Sequence, residues 1–211
     1  MAVRPSTVSL YRHKPQPLGR LLHRPLWLLL LLCLSWPLAA QTGKPTDDPR
    51  LRQMLRDAIS ESSSFQDRFD AEVWLVDMSA RLSRYVLDEE ERLTILRLVH
   101  REATQHGLDP ELVLAVIHVE SLFERFAVSS AGAMGIMQIM PFWKNEIGRG
   151  DDNLMQLETN VRYGTTILRY YIDKENGDLI RALARYNGSL GQTWYPERVF
   201  NALERFYRVN Y

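Results

Sequence analysis

The sequence predicts a mainly α-helical fold, and three observations support this class. Apolar residues recur at helical spacing along most of the chain after residue 49. Helix-starting and helix-ending residues, such as Asp109-Pro110 and Gly107, separate these stretches. No stretch has the apolar–polar alternation of a strand, with a small β-hairpin in residues 128–137 as the one alternative. The length of 211 residues fits one domain or at most two.

The first forty residues have the pattern of an export signal. An apolar run at 26–34 is too short to span a membrane and has the length of a signal-peptide core. We expect cleavage after Ala40, so that 1–40 is a signal peptide, and an uncleaved membrane anchor is the alternative. Cys33 follows Leu32 inside the apolar run, whereas a lipoprotein signal has a small residue just before its cysteine, so we do not expect lipidation. The mature chain would then hold no cysteine for a disulfide or a thiolate metal site.

Charge is distributed unevenly between this segment and the rest. The segment holds five basic residues and no acidic ones, namely Arg4, Arg12, Lys14, Arg20 and Arg24. Without it, 21 basic and 26 acidic residues remain, a net charge of about −5. An acidic protein is a poor candidate for nucleic-acid binding, which depends on cationic contacts with phosphate.

Three helices are expected before residue 107. Residues 41–49 form a polar linker with two prolines, and helical spacing predicts a first helix over 49–61. A second helix over 65–86 should bury one face: Phe69, Val73, Trp74, Met78, Leu82 and Tyr85. Asp88 is positioned to cap the third helix, which should end at Gly107. Its buried face should be Leu93, Leu96, Val99 and Ala103.

The second half of the chain predicts five further helices. Asp109-Pro110 starts one that runs to about Leu122, and Pro141 opens a short one to about Ile147. Asn160 should cap a helix through Lys174, and Asp178 should start one through Tyr186. Tyr195-Pro196 starts a terminal helix, whose inward residues should be Val199, Leu203 and Phe206.

Glu120 is the candidate acid of the chain. It follows the apolar run 112–117, so we expect it to lie against the core, where desolvation raises the pKa of a carboxyl group. A general acid that works near neutral pH needs a raised pKa. The small residues 129–133 and the Gly-Ile-Met-Gln turn at 135–138 would let backbone and ligand approach closely.

Three motifs in this region resemble the soluble, Slt-type lytic transglycosylases. The first is Glu120-Ser121-Leu122-Phe123, and the second is Ser129-x-x-Gly132-Ala133-x-Gly135-Ile136-Met137-Gln138-Ile139-x-Pro141. The third is Ala182-Leu183-Ala184-Arg185-Tyr186-Asn187. The family, glycoside hydrolase family 23, cleaves peptidoglycan and has a lysozyme-like fold. The resemblance covers about Leu108 to Phe206 and implies a catalytic domain over 108–211, with helices in 50–107 packed on it.

The resemblance also implies roles for individual residues. Glu120 is the catalytic residue, and the substrate contacts are Ser121, Met137, Gln138, Tyr186 and Asn187. From the residues alone, Ser121 could equally well end its helix without contacting substrate. Read in the same way, Met137 could fill the core and Gln138 would support a loop. Tyr186 read in the same way is a buried aromatic at a helix end, and Asn187 shapes a turn.

The motifs supply one carboxylate, whereas glycoside hydrolysis ordinarily uses two. Glu124, Asp151 and Asp152 fit better as solvated surface residues. One carboxylate suits non-hydrolytic cleavage of the β-1,4 bond between MurNAc and GlcNAc, which leaves a 1,6-anhydro-MurNAc end. The alternatives are a goose-type muramidase, which uses water, and a non-catalytic peptidoglycan-binding scaffold.

No cofactor or metal is expected. His118-Val119-Glu120 has the H-x-E spacing of zinc deaminases, but the P-C-x-x-C partner is absent. The expected partner is the peptidoglycan glycan strand, in the periplasm, with membrane anchoring only if the signal stays uncleaved.

Overall fold

The structure is a computed structural model that describes residues 49–50, 53–55, 64 and 67–208. The predicted signal peptide, nearly all of the linker and much of the first predicted helix lie outside these residues. Residues 49–50 and 53–55 are helical, as predicted for a helix that begins at 49. Within the described ranges, no helix combines the length and the apolar character needed to cross a membrane.

Seven α-helices and one π-helical turn make up the described part from residue 67 onward. They are α1 (Arg68–Leu82), α2 (Glu89–Gln105), α3 (Pro110–Ser121), α4 (Trp143–Ile147), α5 (Leu157–Lys174), α6 (Leu179–Asn187) and α7 (Trp194–Ala202), and the π turn covers Leu203–Tyr207. The described residues hold no strand longer than an isolated bridge; two such bridges join Met134 to Val128 and to Ile139. The mainly helical class is confirmed, and the hairpin alternative is reduced to these two bridges.

Aspartate side chains cap four of the helices. Asp67, Asp88, Asp109 and Asp178 each accept a hydrogen bond from a backbone N–H in the first turn that follows. Such caps satisfy N–H groups that have no partner within the helix. The predicted starts at Asp88, Asp109 and Asp178 are therefore confirmed.

Helix α3 lies at the centre of the core. Its residues Leu112 to Ile117 are all buried, and the helix packs against α2, α7 and the π turn. A helix that is apolar on every side must be covered on every side. Polar side chains on α3 are found toward its C-terminal end, after this buried run, and Glu120 is one of them.

Of the three predicted buried faces, those of α1 and of the C-terminal end need correction in part. On α1, Trp74, Met78 and Leu82 are buried as predicted, but Phe69 is 71% exposed and Val73 is 40% exposed, and Ala71 and Leu75 complete the inner face. Tyr85 lies beyond the end of α1 and is partly buried. The predicted face of α2 is buried as expected, at Leu93, Leu96, Val99 and Ala103. At the C-terminal end Val199 and Leu203 are buried, while Phe206 is partly buried beside the fully buried Tyr207.

Two predicted helix starts are also wrong. The short helix after Pro141 begins at Trp143, and α5 begins at Leu157 with Gln156 at its cap position. Asn160 therefore lies in the first turn of α5 rather than before it. Its side chain is 1% exposed and forms hydrogen bonds with a different part of the chain.

Candidate active site

Glu120 lies on the last turn of α3 and is partly buried. Burial raises the pKa of its carboxyl group to about 7, because the apolar surroundings disfavour the charged form. The hydroxyl of Tyr195 donates a hydrogen bond of 2.6 Å to Glu120 Oε1, which opposes that rise in pKa. Near neutral pH the carboxyl group can therefore both give up and take a proton.

Tyr195 is the residue of this site that the sequence prediction missed. It lies on α7, is 1% exposed, and reaches Glu120 from 75 positions along the chain. Burial and the charge of Glu120 raise the pKa of its phenol well above 10, so it acts as a hydrogen-bond donor. From the sequence, Tyr195-Pro196 was predicted only to start a helix, because no local pattern shows which residue a side chain contacts across the core.

The chain leaves α3 through two residues in the left-handed region. Leu122 has φ of 52° and Phe123 has φ of 68°, a conformation that costs energy for residues other than glycine. Ser121 stabilises this exit, because its hydroxyl donates to the carbonyl of Ile136 at 2.8 Å and lies 3.3 Å from that of Ile117. Its role in the structure is thus to join the end of α3 to the turn at 135–138.

The turn at 135–138 packs closely against α5. Gly135 has φ of 77°, and a Cβ atom there would lie 2.2 Å from Asn160 Nδ2, so only glycine fits. Gln138 has φ of 51°, and its Nε2 donates to the carbonyls of Gly135 at 2.9 Å and Ala127 at 3.2 Å. The side-chain carbonyl Oε1 of Gln138 accepts no hydrogen bond from the described residues, so it can accept one from a ligand.

Asn160 holds this turn in place and was also missed as a site residue. Its Oδ1 accepts from the backbone N–H of Met137 at 2.8 Å. Its Nδ2 donates at 2.8 Å to the carbonyls of Met134 and Leu154. The buried amide of Asn160 therefore forms hydrogen bonds with one backbone N–H and two backbone carbonyls. Buried polar groups need such partners, and the contacts hold the turn against α5.

Tyr186 and Met137 meet at a single hydrogen bond. The Tyr186 hydroxyl donates to the Met137 carbonyl at 2.8 Å, and burial together with the charge of Glu120 raises the pKa of this phenol well above 10. The side chain of Met137 is fully buried, and its sulfur would lie 2.2 Å from a Cβ atom at Gly164. The Met137 side chain, predicted as a substrate contact, is thus a core residue, as the alternative had it, and its backbone carbonyl belongs to the site.

The structure brings together most of the site residues that were predicted from the sequence. Glu120, Ser121, Gln138 and Tyr186 belong to one connected region at the end of α3, joined through Ile136, Met137 and the turn. Asn187 is exposed at the last position of α6 and makes no side-chain hydrogen bond with the described residues.

The other carboxylates considered from the sequence, Glu124, Asp151 and Asp152, form no hydrogen bond with Glu120 and do not contribute to its raised pKa. Glu124 is exposed, and Asp152 accepts from the Tyr163 hydroxyl at 2.5 Å and lies 3.8 Å from Arg162. Among the described residues, no second carboxylate contributes to the raised pKa of Glu120. Groups of three or more side chains able to bind a metal are likewise absent from the residues the structure describes.

Comparison with known proteins places this arrangement in a family. The model of the Transglycosylase SLT domain matches residues 97–206, more than half of the chain. The transglycosylase of Enterobacteria phage PRD1 is 35% identical over 104 residues, which cover 46% of this chain and 38% of that protein. The soluble lytic murein transglycosylase of Salmonella typhimurium is 28% identical over 139 residues, or 60% of this chain and 22% of that one.

A solved structure also shows similarity. It is an inactive mutant of lytic transglycosylase Slt from Pseudomonas aeruginosa, with 23% identity and a TM-score of 0.41 over 68% of this chain and 30% of that one. The chain thus spans well under half of the length of each of these relatives. The family model covers Glu120, the turn at 135–138, Tyr186 and Tyr195. The chain belongs to the Transglycosylase SLT domain family.

Proposed function

We propose that the protein is a lytic transglycosylase that cleaves the β-1,4 bond between MurNAc and GlcNAc of peptidoglycan without water. One observation carries the proposal: Glu120 is a partly buried carboxyl group with a pKa of about 7, in the motif of the family and without a second carboxylate partner among the described residues. Two of the relatives are named as transglycosylases, one of them of murein.

In the first step Glu120 acts as a general acid. Its proton moves to the bridging oxygen, the bond from this oxygen to C1 of MurNAc breaks, and the GlcNAc side leaves as an alcohol. The positive charge that develops at C1 is stabilised by the N-acetyl group of MurNAc, the substrate-assisted form of this chemistry.

In the second step the same carboxylate acts as a base. It takes the proton of the 6-hydroxyl of MurNAc while O6 forms a bond to C1, which closes the 1,6-anhydro ring and restores protonated Glu120. The hydrogen bond from Tyr195 suits this double role, since it holds Oε1 in place and stabilises the charged form between the two steps.

Gln138 is proposed as a substrate contact through its free carbonyl Oε1, which can accept the N–H of an acetamido group. Tyr186 and Ser121 are proposed to position the turn that carries Gln138, since their hydroxyls are bonded to backbone carbonyls. Asn187, which is exposed, is proposed to contact substrate directly, and Met137 contributes its backbone.

We further propose a cell-envelope location with export through residues 1–40, in keeping with a murein substrate. The catalytic domain is assigned to 108–211, with the helices of 50–107 packed on it. Within the described residues α2 packs against both α3 and α5, so the region before 108 buries the back of the central helix.

The experiment that tests the proposal compares two glutamates on α3. Burial also raises the pKa of Glu111 to about 7, and Trp74 Nε1 donates to it at 2.6 Å, but it lies at the opposite end of the helix. We expect Glu120→Gln to lower product release from purified sacculi by about 10⁴-fold, at the upper end for general acid–base catalysis. Glu111→Gln should retain wild-type turnover.

Retention of more than a tenth of the activity in Glu120→Gln would contradict the assignment of the acid. Binding of sacculi without any turnover by the wild type would favour the scaffold alternative.

A further inference from the structure

Three arginines that lie beside the rings of Trp194 or Phe206 have no carboxylate partner among the described residues. Most arginines in the described ranges do form ion pairs, for example Arg101 with Glu158, Arg181 with Glu175 and Arg208 with Glu204. Arg84, Arg198 and Arg205 form none with the residues that the structure describes. A cation that is left without an internal partner is available for an external anion.

Two of these arginines line a groove beside the end of α3. The groove has a volume of about 360 Å³, and its walls include Val119, Leu122, Arg198, Asn201, Arg205 and Phe206. The Arg198 guanidinium lies 5.6 Å from the ring centre of Trp194, and those of Arg84 and Arg205 lie 4.5 Å and 5.5 Å from that of Phe206. The groove thus combines cations with aromatic surface.

Along α7 and the π turn, the arginines line the groove and the glutamates do not. Arg198, Asn201 and Arg205 follow one another at spacings of three and four residues and share the groove face. Glu197 and Glu204 do not line the groove, and Glu204 is paired with Arg208. The groove is therefore locally basic on a chain whose mature form is expected to be acidic, and it is complementary to an anionic ligand.

We propose that this groove binds the carboxylates of a peptidoglycan peptide stem. The inference rests on the proposed function, since the stem is attached to the muramoyl residue that Glu120 would cleave. Val119 is adjacent to Glu120, and Arg198 lies about one turn beyond Tyr195, so the groove shares both helices with the site. An extended stem of four or five residues reaches about 13–18 Å.

The chemistry of the lining residues fits such a stem. A guanidinium group binds a carboxylate through two parallel hydrogen bonds, and the Asn201 amide can donate to and accept from a peptide group. Arg198 and Arg205 would therefore determine which stems are accepted, without taking part in bond cleavage.

Binding can be measured without turnover, in the Glu120→Gln protein. The probe is the GlcNAc–anhydroMurNAc tetrapeptide, titrated in parallel with the same compound after amidation of its carboxyl groups. We expect the unmodified compound to bind about tenfold more tightly, the effect of about one charge-assisted hydrogen bond. Adding R198Q and R205Q should remove this preference, whereas adding R208Q, at an arginine already paired with Glu204, should keep it.

Kinetics give a second readout in the otherwise wild-type chain. The R198Q/R205Q variant should raise KM on intact sacculi about tenfold, with kcat unchanged, and leave kcat/KM unaltered on glycan strands stripped of their stems by an amidase. Both arginines are exposed, so the melting temperature should not change.

Several results would overturn the inference. They are equal binding of the two probes, an equal loss on both substrates, or binding of anionic phospholipid vesicles that depends on the two arginines while stem binding does not. If the wild type cleaves neither substrate, the proposed function fails, and the titration still decides what the groove binds.

Discussion

At the scale of single residues, the partly buried carboxyl group of Glu120 makes the free energy of unfolding depend on pH. Its pKa is about 7 in the folded protein and 4.5 as a free side chain, so the folded state holds the proton more tightly. The stabilisation from protonation is complete below about pH 4.5 and is lost as pH rises through about 7. The group that serves catalysis therefore destabilises the fold at alkaline pH.

Glu120→Gln should remove this dependence. The amide is not charged at any pH and can still accept the hydrogen bond from Tyr195. We expect the variant to equal the wild type in stability at pH 4 and to exceed it by about 1–3 kcal/mol at pH 8. Thermal unfolding at both pH values measures this, and a gain of the same size at both would show that ionisation of Glu120 is not its cause.

Two tyrosines provide a matched test of the groups around Glu120. Tyr195 donates to the carboxyl group and lowers its pKa, whereas Tyr186 donates to the Met137 carbonyl. Tyr195→Phe should therefore raise the pKa of Glu120 and shift the alkaline limb of the pH–rate profile to higher pH, with a fall in rate of about tenfold.

Tyr186→Phe should leave that limb in place and lower stability by about 0.5–1.5 kcal/mol through the lost hydrogen bond. If the alkaline limb shifted in Tyr186→Phe and not in Tyr195→Phe, Tyr186 rather than Tyr195 would be the residue that sets the pKa of Glu120. The sequence predicted a site role for Tyr186 because the family motif contains it, and it missed Tyr195 because only the fold brings that hydroxyl to Glu120.

At the scale of elements, the turn at 135–138 depends on its contacts with α5. Gly135 permits the close approach of Asn160, and the Asn160 amide then bonds backbone groups of Met134, Met137 and Leu154. The sequence predicted the turn from its glycine and small residues. It assigned Asn160 to a helix cap, because asparagine is common at caps and nothing local distinguishes a cap from a longer-range contact.

Asn160→Ala should be strongly destabilising for this reason. It leaves three backbone groups without their partner, and each unsatisfied buried group costs about 1–3 kcal/mol, so we expect a loss of about 3–5 kcal/mol in denaturant unfolding. Asn153→Ala is the matched control, because the exposed Asn153 accepts only the Met155 N–H at 2.9 Å. Similar losses in both variants would contradict a special role for Asn160.

At the scale of the whole molecule, the helical class and most helix starts followed from local signals, since caps and apolar spacing are encoded within a few residues. The inner face of α1 followed only in part, because the exposed Phe69 and Val73 have the same apolar character as the residues that are buried. The choice between them depends on which side meets α2, and this is a property of the assembled core. Family motifs supplied the position of the site, which composition and periodicity alone could not.

The central claim is that one carboxylate cleaves the glycan without water, and mass analysis of the products from purified sacculi tests it most directly. If Glu120 serves as acid and then as base, the muropeptides should carry 1,6-anhydro-muramoyl ends and be one water lighter than lysozyme products. Products dominated by reducing muramoyl ends would contradict the claim and identify the protein as a muramidase.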